Sequence, residues 1–191
     1  MRRGLVLLLA LQNFLSLLGN VTQYMFFLKS LQEFHLSGMW MPLLASITCF
    51  SYLVSTLFVN YPLIERFGRL TTGISASVVI GISLFIMTGI LFTKSKHLLL
   101  TGAVLYSLIN GSALSMVQQA NFALAGTLAA ANLVFAYAAL ELADLAQNIL
   151  NLFMQLGLWS STNTIYLNFP IALLNVSMVS LHCCFKPEEG E

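Results

Sequence analysis

The stretch AAANLVFAYAALELADLAQNILNLFMQLG, residues 129–157, decides the fold class. Within it Tyr137, Glu141, Asp144, Asn148, Asn151 and Gln155 recur at alternating spacings of four and three, so a helix places all six on one stripe. Nearly every other position is apolar. At ~1.5 Å per residue the stripe runs roughly 27 Å, close to the ~30 Å hydrocarbon core of a bilayer. Lipid does not solvate two carboxylates and four neutral polar groups. The stripe is therefore expected to look onto protein or a water-filled cavity, which makes it the leading candidate for a functional site.

The rest of the chain has the same character. Of 191 residues 58% are hydrophobic and 8% charged, with a formal charge of +1 and a mean hydropathy of +0.86. Such a composition describes an integral membrane protein. Six apolar stretches, near 4–28, 39–62, 71–93, 98–118, 129–157 and 163–185, are each long enough to span. The expected fold is an all-α integral membrane bundle of six transmembrane helices, with 1–191 forming a single domain. The gaps leave no room for a soluble domain. The lipid bilayer is therefore a partner, while nucleic acid is not, and no metal site or other cofactor is expected.

Met1-Arg2-Arg3 before a Leu-rich run has the look of a signal peptide, but the apolar run continues to Leu28 without a small-x-small cleavage site. It reads as a first span with two arginines held inside. Alternating the spans then puts Arg2, Arg3, Arg66, Arg69 and Lys186 inside and Lys29, Lys94 and Lys96 outside. This bias follows the positive-inside rule, and the plasma membrane is the expected location. Asn20, Asn110 and Asn175 start Asn-x-Ser/Thr triplets but fall within spans, so none should be glycosylated. Cys49, Cys183 and Cys184 form no disulfide framework; the adjacent pair reads either as small buried hydrophobes or as a palmitoylation site.

Polarity differs from span to span. Span one carries Gln12, Ser16, Asn20 and Gln23 on one stripe, and span five carries the acidic one. The two are expected to face each other across a polar cavity or a partner half. Span three offers only Ser, Thr and Gly, with Gly73, Ser77 and Gly81 four apart as a small-residue packing seam, and is expected on the outside. Span four, with Asn110, Gln118, Gln119 and Asn121, and span six, with Asn168 and Asn175, are intermediate. Scattered Asn and Gln read as interhelical hydrogen-bonding groups. Two acids one turn apart require water, a cation, a partner or a proton.

Between spans two and three the sequence reads NYPLIERFGRL, residues 60–70. Its Glu65, Arg66, Gly68 and Arg69 resemble the cytoplasmic signature loop of the major facilitator superfamily, with Leu70 where a further basic residue is usual. Gly68 would permit a tight reversal, and the two arginines could pair with acids on neighbouring helix ends. Within that superfamily the chain is most similar to the carboxy-terminal half of organic cation and anion transporters, with sugar porters second; Phe185-Lys186-Pro187-Glu188-Glu189-Gly190 resembles the ending of both. The resemblance implies transport of a small organic solute, with Glu141 and Asp144 near the depth of a cation-binding acid and a gating loop at Glu65, Arg66, Gly68 and Arg69; Tyr137, Asn148, Asn20 and Gln23 on the two polar stripes complete the candidate substrate-binding residues.

The chain departs from that pattern in two respects. Gln118 to Asn132 contains neither the Pro nor the charged residues expected between the fourth and fifth spans. In addition, a complete carrier has two such halves. The partner is then a second six-helix half or a full-length transporter, and the alternative function is a non-transporting membrane protein that regulates a full-length relative. An organic cation is the favoured substrate, because every Lys and Arg lies at a span end or in a loop. No enzymatic activity is expected: His35, His97 and His182 are far apart in topology, and no nucleophile stands beside a base.

Overall fold

The computed structural model describes residues 7, 10–17, 27, 34–35, 38–93, 95–126, 130–156 and 173. These residues are helical apart from short turns. Helix α1 is described over residues 10–17. It is followed by α2 (Trp40–Val54), a π-helical turn (Ser55–Val59), α3 (Asn60–Phe67), α4 (Arg69–Phe92), α5 (Lys96–Ala125) and α6 (Ala130–Gln155). Three helical runs, Trp40–Phe67, Arg69–Ile90 and Lys96–Ala125, are long and apolar enough to cross a membrane. The shorter run Leu133–Leu142 is the apolar part of α6. This architecture is compatible with a helical membrane protein. Span six falls outside the described residues except for Leu173.

Helix α5 is the centre. It packs along most of α4 on one side and along α2 on the other. Its buried residues include Gly102, Ala103, Ser107, Gly111, Ala113, Ser115 and Ala120, so small side chains let the neighbouring backbones approach. The closest approach is at Gly111, where an added Cβ would run into the Ser51 hydroxyl and the Thr48 carbonyl. The α4–α5 seam is filled by Ala76, Ile80, Ala113 and Val117, while Phe27, Leu44, Leu84, Met87, Leu99 and Tyr106 fill the end farther from Gly68. On the outside, Phe50, Leu53, Phe58, Ile82, Ile86 and Leu105 are exposed. An apolar belt of that size suits lipid contact.

The second apolar stretch continues past its expected end at 62, since α3 runs to Phe67 and the gap closes to Gly68 alone. Polar Glu65 and Arg66 lower the hydropathy without interrupting the helix. Pro62 brings no amide hydrogen and clashes with the carbonyl four residues back, that of Phe58. The chain accommodates it through the wide turn just before, where the Asn60 N–H donates to the Ser55 carbonyl. The reversal itself rests on Gly68, at φ 82° and ψ 159°, a region essentially reserved for glycine. Its N–H donates to the Ile64 carbonyl at 2.9 Å and its own carbonyl accepts from the Thr72 amide at 3.1 Å, which ties both helices to the turn.

The position expected for span three needs correction. Helix α4 keeps an outer face, with Val79, Ile82 and Ile86 exposed, but it is not peripheral. Its Gly73–Ser77 seam receives α1: the Gln12 amide donates to the Gly73 carbonyl at 2.9 Å and to the Ser77 hydroxyl at 2.8 Å, and the Ser16 and Ser77 hydroxyls lie 3.5 Å apart. Gln12 and Ser16 thus hydrogen-bond span three. A small-residue seam exposes backbone carbonyls that a buried amide can reach, so polar side chains are satisfied by a packed neighbour without cavity water.

Candidate functional site

Three groups of polar residues compete for a functional role. The first is the stripe on α6. Tyr137 stacks on Phe122 of α5, with ring centroids 5.7 Å apart and planes at 22°, and its hydroxyl donates to the Phe122 carbonyl at 3.5 Å. Ala136 and Leu140 pack with Ala125, anchoring the first third of α6. Beyond that anchor the character changes. Glu141 and Asn148 are exposed, as are Leu142, Leu145, Ile149 and Leu152. Asp144, Asn151 and Gln155 are on the helical backbone of α6, with side chains outside what the structure describes. Asn20 and Gln23 lie outside the described residues altogether.

The second group is the turn at Gly68. Glu65, Arg66 and Arg69 are all exposed. Arg69 reaches across to α5, where its guanidinium donates to the Ala123 carbonyl at 3.1 Å. This is a cation on the last turn of a helix, where unsatisfied carbonyls and the negative end of the dipole favour it. The pairing with an acid expected from the signature loop is thereby replaced by a carbonyl, in a segment that carries no acid. Arg66 folds over the ring of Phe67, 5.3 Å from its centroid.

The third group was not singled out by sequence reasoning. At the π turn the Asn60 amide donates to the Ser115 hydroxyl at 2.6 Å and to the Gln119 side-chain oxygen at 2.9 Å, while the Ser55 hydroxyl donates to the Asn60 side-chain oxygen at 2.8 Å. The Thr56 and Ser115 hydroxyls are 2.7 Å apart, and the Tyr52 hydroxyl donates to the Gln118 side-chain oxygen at 2.7 Å. Ser55, Asn60 and Ser115 are buried. The signal was present as two facing stripes: Tyr52, Ser55, Thr56 and Asn60 on span two, and Ser112, Ser115 and Gln119 on span four, each at helical spacing. What hid it was its setting: Asn60 falls near the end of its apolar stretch, and scattered Ser, Thr and Asn in spans read as single interhelical groups.

These groups differ in chemistry. The π-turn network closes on itself: nearly all its polar capacity is used between α2, α3 and α5, which suits a structural lock. The α6 stripe presents a carboxylate and an amide with no protein partner among the described residues, which suits ligand contact. Compared with family models, curated proteins and solved structures, the chain matches none.

Proposed function

We propose that the chain is a multi-pass plasma-membrane protein, one six-helix half of a carrier of the major-facilitator type, and that it takes part in moving small organic cations. The observation that carries this reading is the exposure of Glu141 and Asn148 on α6, a helix whose described packing against α5 lies in its first third. Two further features support it. Gly68 makes the one-residue reversal that the Glu65–Arg69 loop calls for, and α1 runs alongside α4 in the same direction, as first and third spans of alternating topology do. Glu141 and Asp144 supply the counter-charge, Tyr137 a ring face for a cation, and Asn148, Asn20 and Gln23 polar contacts. The reading is of a carrier and not an enzyme, and it involves no cofactor.

A second reading is favoured by the apolar side of the same helix. Leu142, Leu145, Ile149 and Leu152 are exposed and would suit packing against a full-length carrier whose assembly the chain alters. Uptake of labelled tetraethylammonium by cells expressing the chain, alone and with candidate full-length carriers, tests both. At equal surface expression Glu141→Gln and Asp144→Asn should each lower uptake about ten-fold or more, the scale of removing a counter-charge. Uptake and pH profile unchanged in both variants would overturn the cation-carrier reading. Uptake that follows only the partner's surface abundance would favour the regulatory one.

A further inference from the structure

A groove of about 610 Å³ lies between α3, α4 and α5, with no α6 residue among its lining. Its walls are apolar, formed by Leu63, Phe67, Ala76, Val79, Ile109 and Met116. Phe67, Val79 and Ile109 are exposed, so the groove opens to whatever surrounds the bundle. Thr71 to Val79 on α4 covers eight residues of helix rise, roughly 12 Å, long enough for a stretch of alkyl chain and too short for a transmembrane helix.

One end of the groove is not apolar. Phe67 is its last α3 residue, and the Arg66 guanidinium lies 5.3 Å from the centre of that ring. The exposed hydroxyls of Thr71 and Ser75 line the same end. Arg69 is two residues before Thr71, and one of its nitrogens is engaged with the Ala123 carbonyl, leaving other donors of the fork for a second acceptor. Glu65 is the one acid in this turn, so Arg66 and Arg69 leave it with a net positive charge.

We infer that this groove binds an anionic phospholipid, its acyl chain along the α4–α5 seam and its phosphate at Arg66 and the hydroxyls of Thr71 and Ser75. The inference rests on the membrane reading alone and is independent of transport. Charge complementarity selects the occupant: a zwitterionic lipid would gain the same apolar contact but less at the guanidinium. With the Gly68 turn facing the cytoplasm, as the basic bias has it, this end meets the leaflet richest in anionic lipid.

The test uses the full chain in phosphatidylcholine nanodiscs doped with a few mole per cent of a diazirine-acyl phosphatidylglycerol or the matching phosphatidylcholine. After illumination, cross-linked peptides are mapped by mass spectrometry. The expected result is labelling confined to peptides covering 63–79 and 108–116, with phosphatidylglycerol roughly five-fold ahead, the scale of one guanidinium at an anionic surface. Arg66→Gln should remove the preference and Arg66→Lys keep most of it, while Ala113→Leu should reduce labelling by both lipids. Equal labelling by the two lipids, or a preference that survives Arg66→Gln, would reduce the groove to ordinary annular contact and overturn the inference. Absence of labelling in 63–79 and 108–116 while other outer faces are labelled would mean that protein fills the groove, which overturns it as well. Thermal unfolding of each variant separates loss of binding from loss of fold.

Discussion

Helices α5 and α6 are built from similar material and end in opposite situations. Both are apolar helices with polar residues at helical spacing. On α5 the polar residues meet matching stripes: Ser115 and Gln119 face Asn60, Gln118 faces Tyr52, and the Ser107 carbonyl accepts from Ser51. Among the described side chains of the α6 stripe, Tyr137 is placed in this way, while Glu141 and Asn148 stand exposed. A polar stripe alone does not distinguish helix glue from a ligand face. What distinguishes them is whether a neighbouring helix presents the complementary stripe. By that criterion the described polar residues of α5 act as helix glue, and Glu141 and Asn148 of α6 lack a complementary stripe among the described residues.

The comparison should break first at Gly111. Gly111→Ala pushes a Cβ against a backbone carbonyl that cannot swing aside, and is expected to lower stability by about 2–3 kcal/mol or to prevent folding. Ala138→Val, on an exposed position of α6, should cost within about 0.5 kcal/mol. Detergent-resistant thermal unfolding of the two variants measures the difference. Equal shifts would mean that α5 is not the tightly packed centre.

A smaller contrast concerns the amides. Asn60→Ala removes hydrogen bonds to Ser55, Ser115 and Gln119 and should cost about 1–2 kcal/mol. Asn148→Ala should leave the unfolding temperature unchanged, whatever it does to uptake. If Asn148→Ala were the more damaging, the lower part of α6 would be packed against protein, and the ligand face would have to be sought elsewhere. Tyr137→Phe is likewise expected to have a small effect. The stack on Phe122 survives and only a long 3.5 Å hydrogen bond is lost, so unfolding should shift by less than about 0.5 kcal/mol. A larger loss would show that Tyr137 anchors α6 through its hydroxyl.

The sequence carried the second to fourth spans well, because length and hydropathy are local properties. Gly68 was also legible as the reversal point, since a Glu-Arg-x-Gly-Arg run between two apolar stretches leaves glycine as the residue able to turn the chain. Pairing was not legible. Span three looked peripheral because it lacks amides and charges, yet those small residues are what allow Gln12 to reach the Gly73 carbonyl from α1. The third polar group was missed for a related reason: Asn60 falls near the end of its apolar stretch, and spacing alone does not show that its stripe faces Ser115 and Gln119 of α5. On α6 the stripe was visible from spacing, and the structure adds that Glu141 and Asn148 remain uncovered by the described residues.

The Gly68 turn also bears on how such a chain is made. A single residue spans no more than ~3.6 Å, so α3 and α4 have no aqueous tether that would let one enter a bilayer while the other waits outside. In a bilayer the run from Trp40 to Phe92 would therefore enter as a preformed hairpin, with the Gly68 turn and the Ser55–Asn60 hydrogen bond already closed and the Asn60 amide left to meet Ser115 and Gln119 once α5 emerges. Lengthening that turn with an epitope tag would convert a one-step insertion into two, and the penalty would appear in biogenesis as well as in the finished fold.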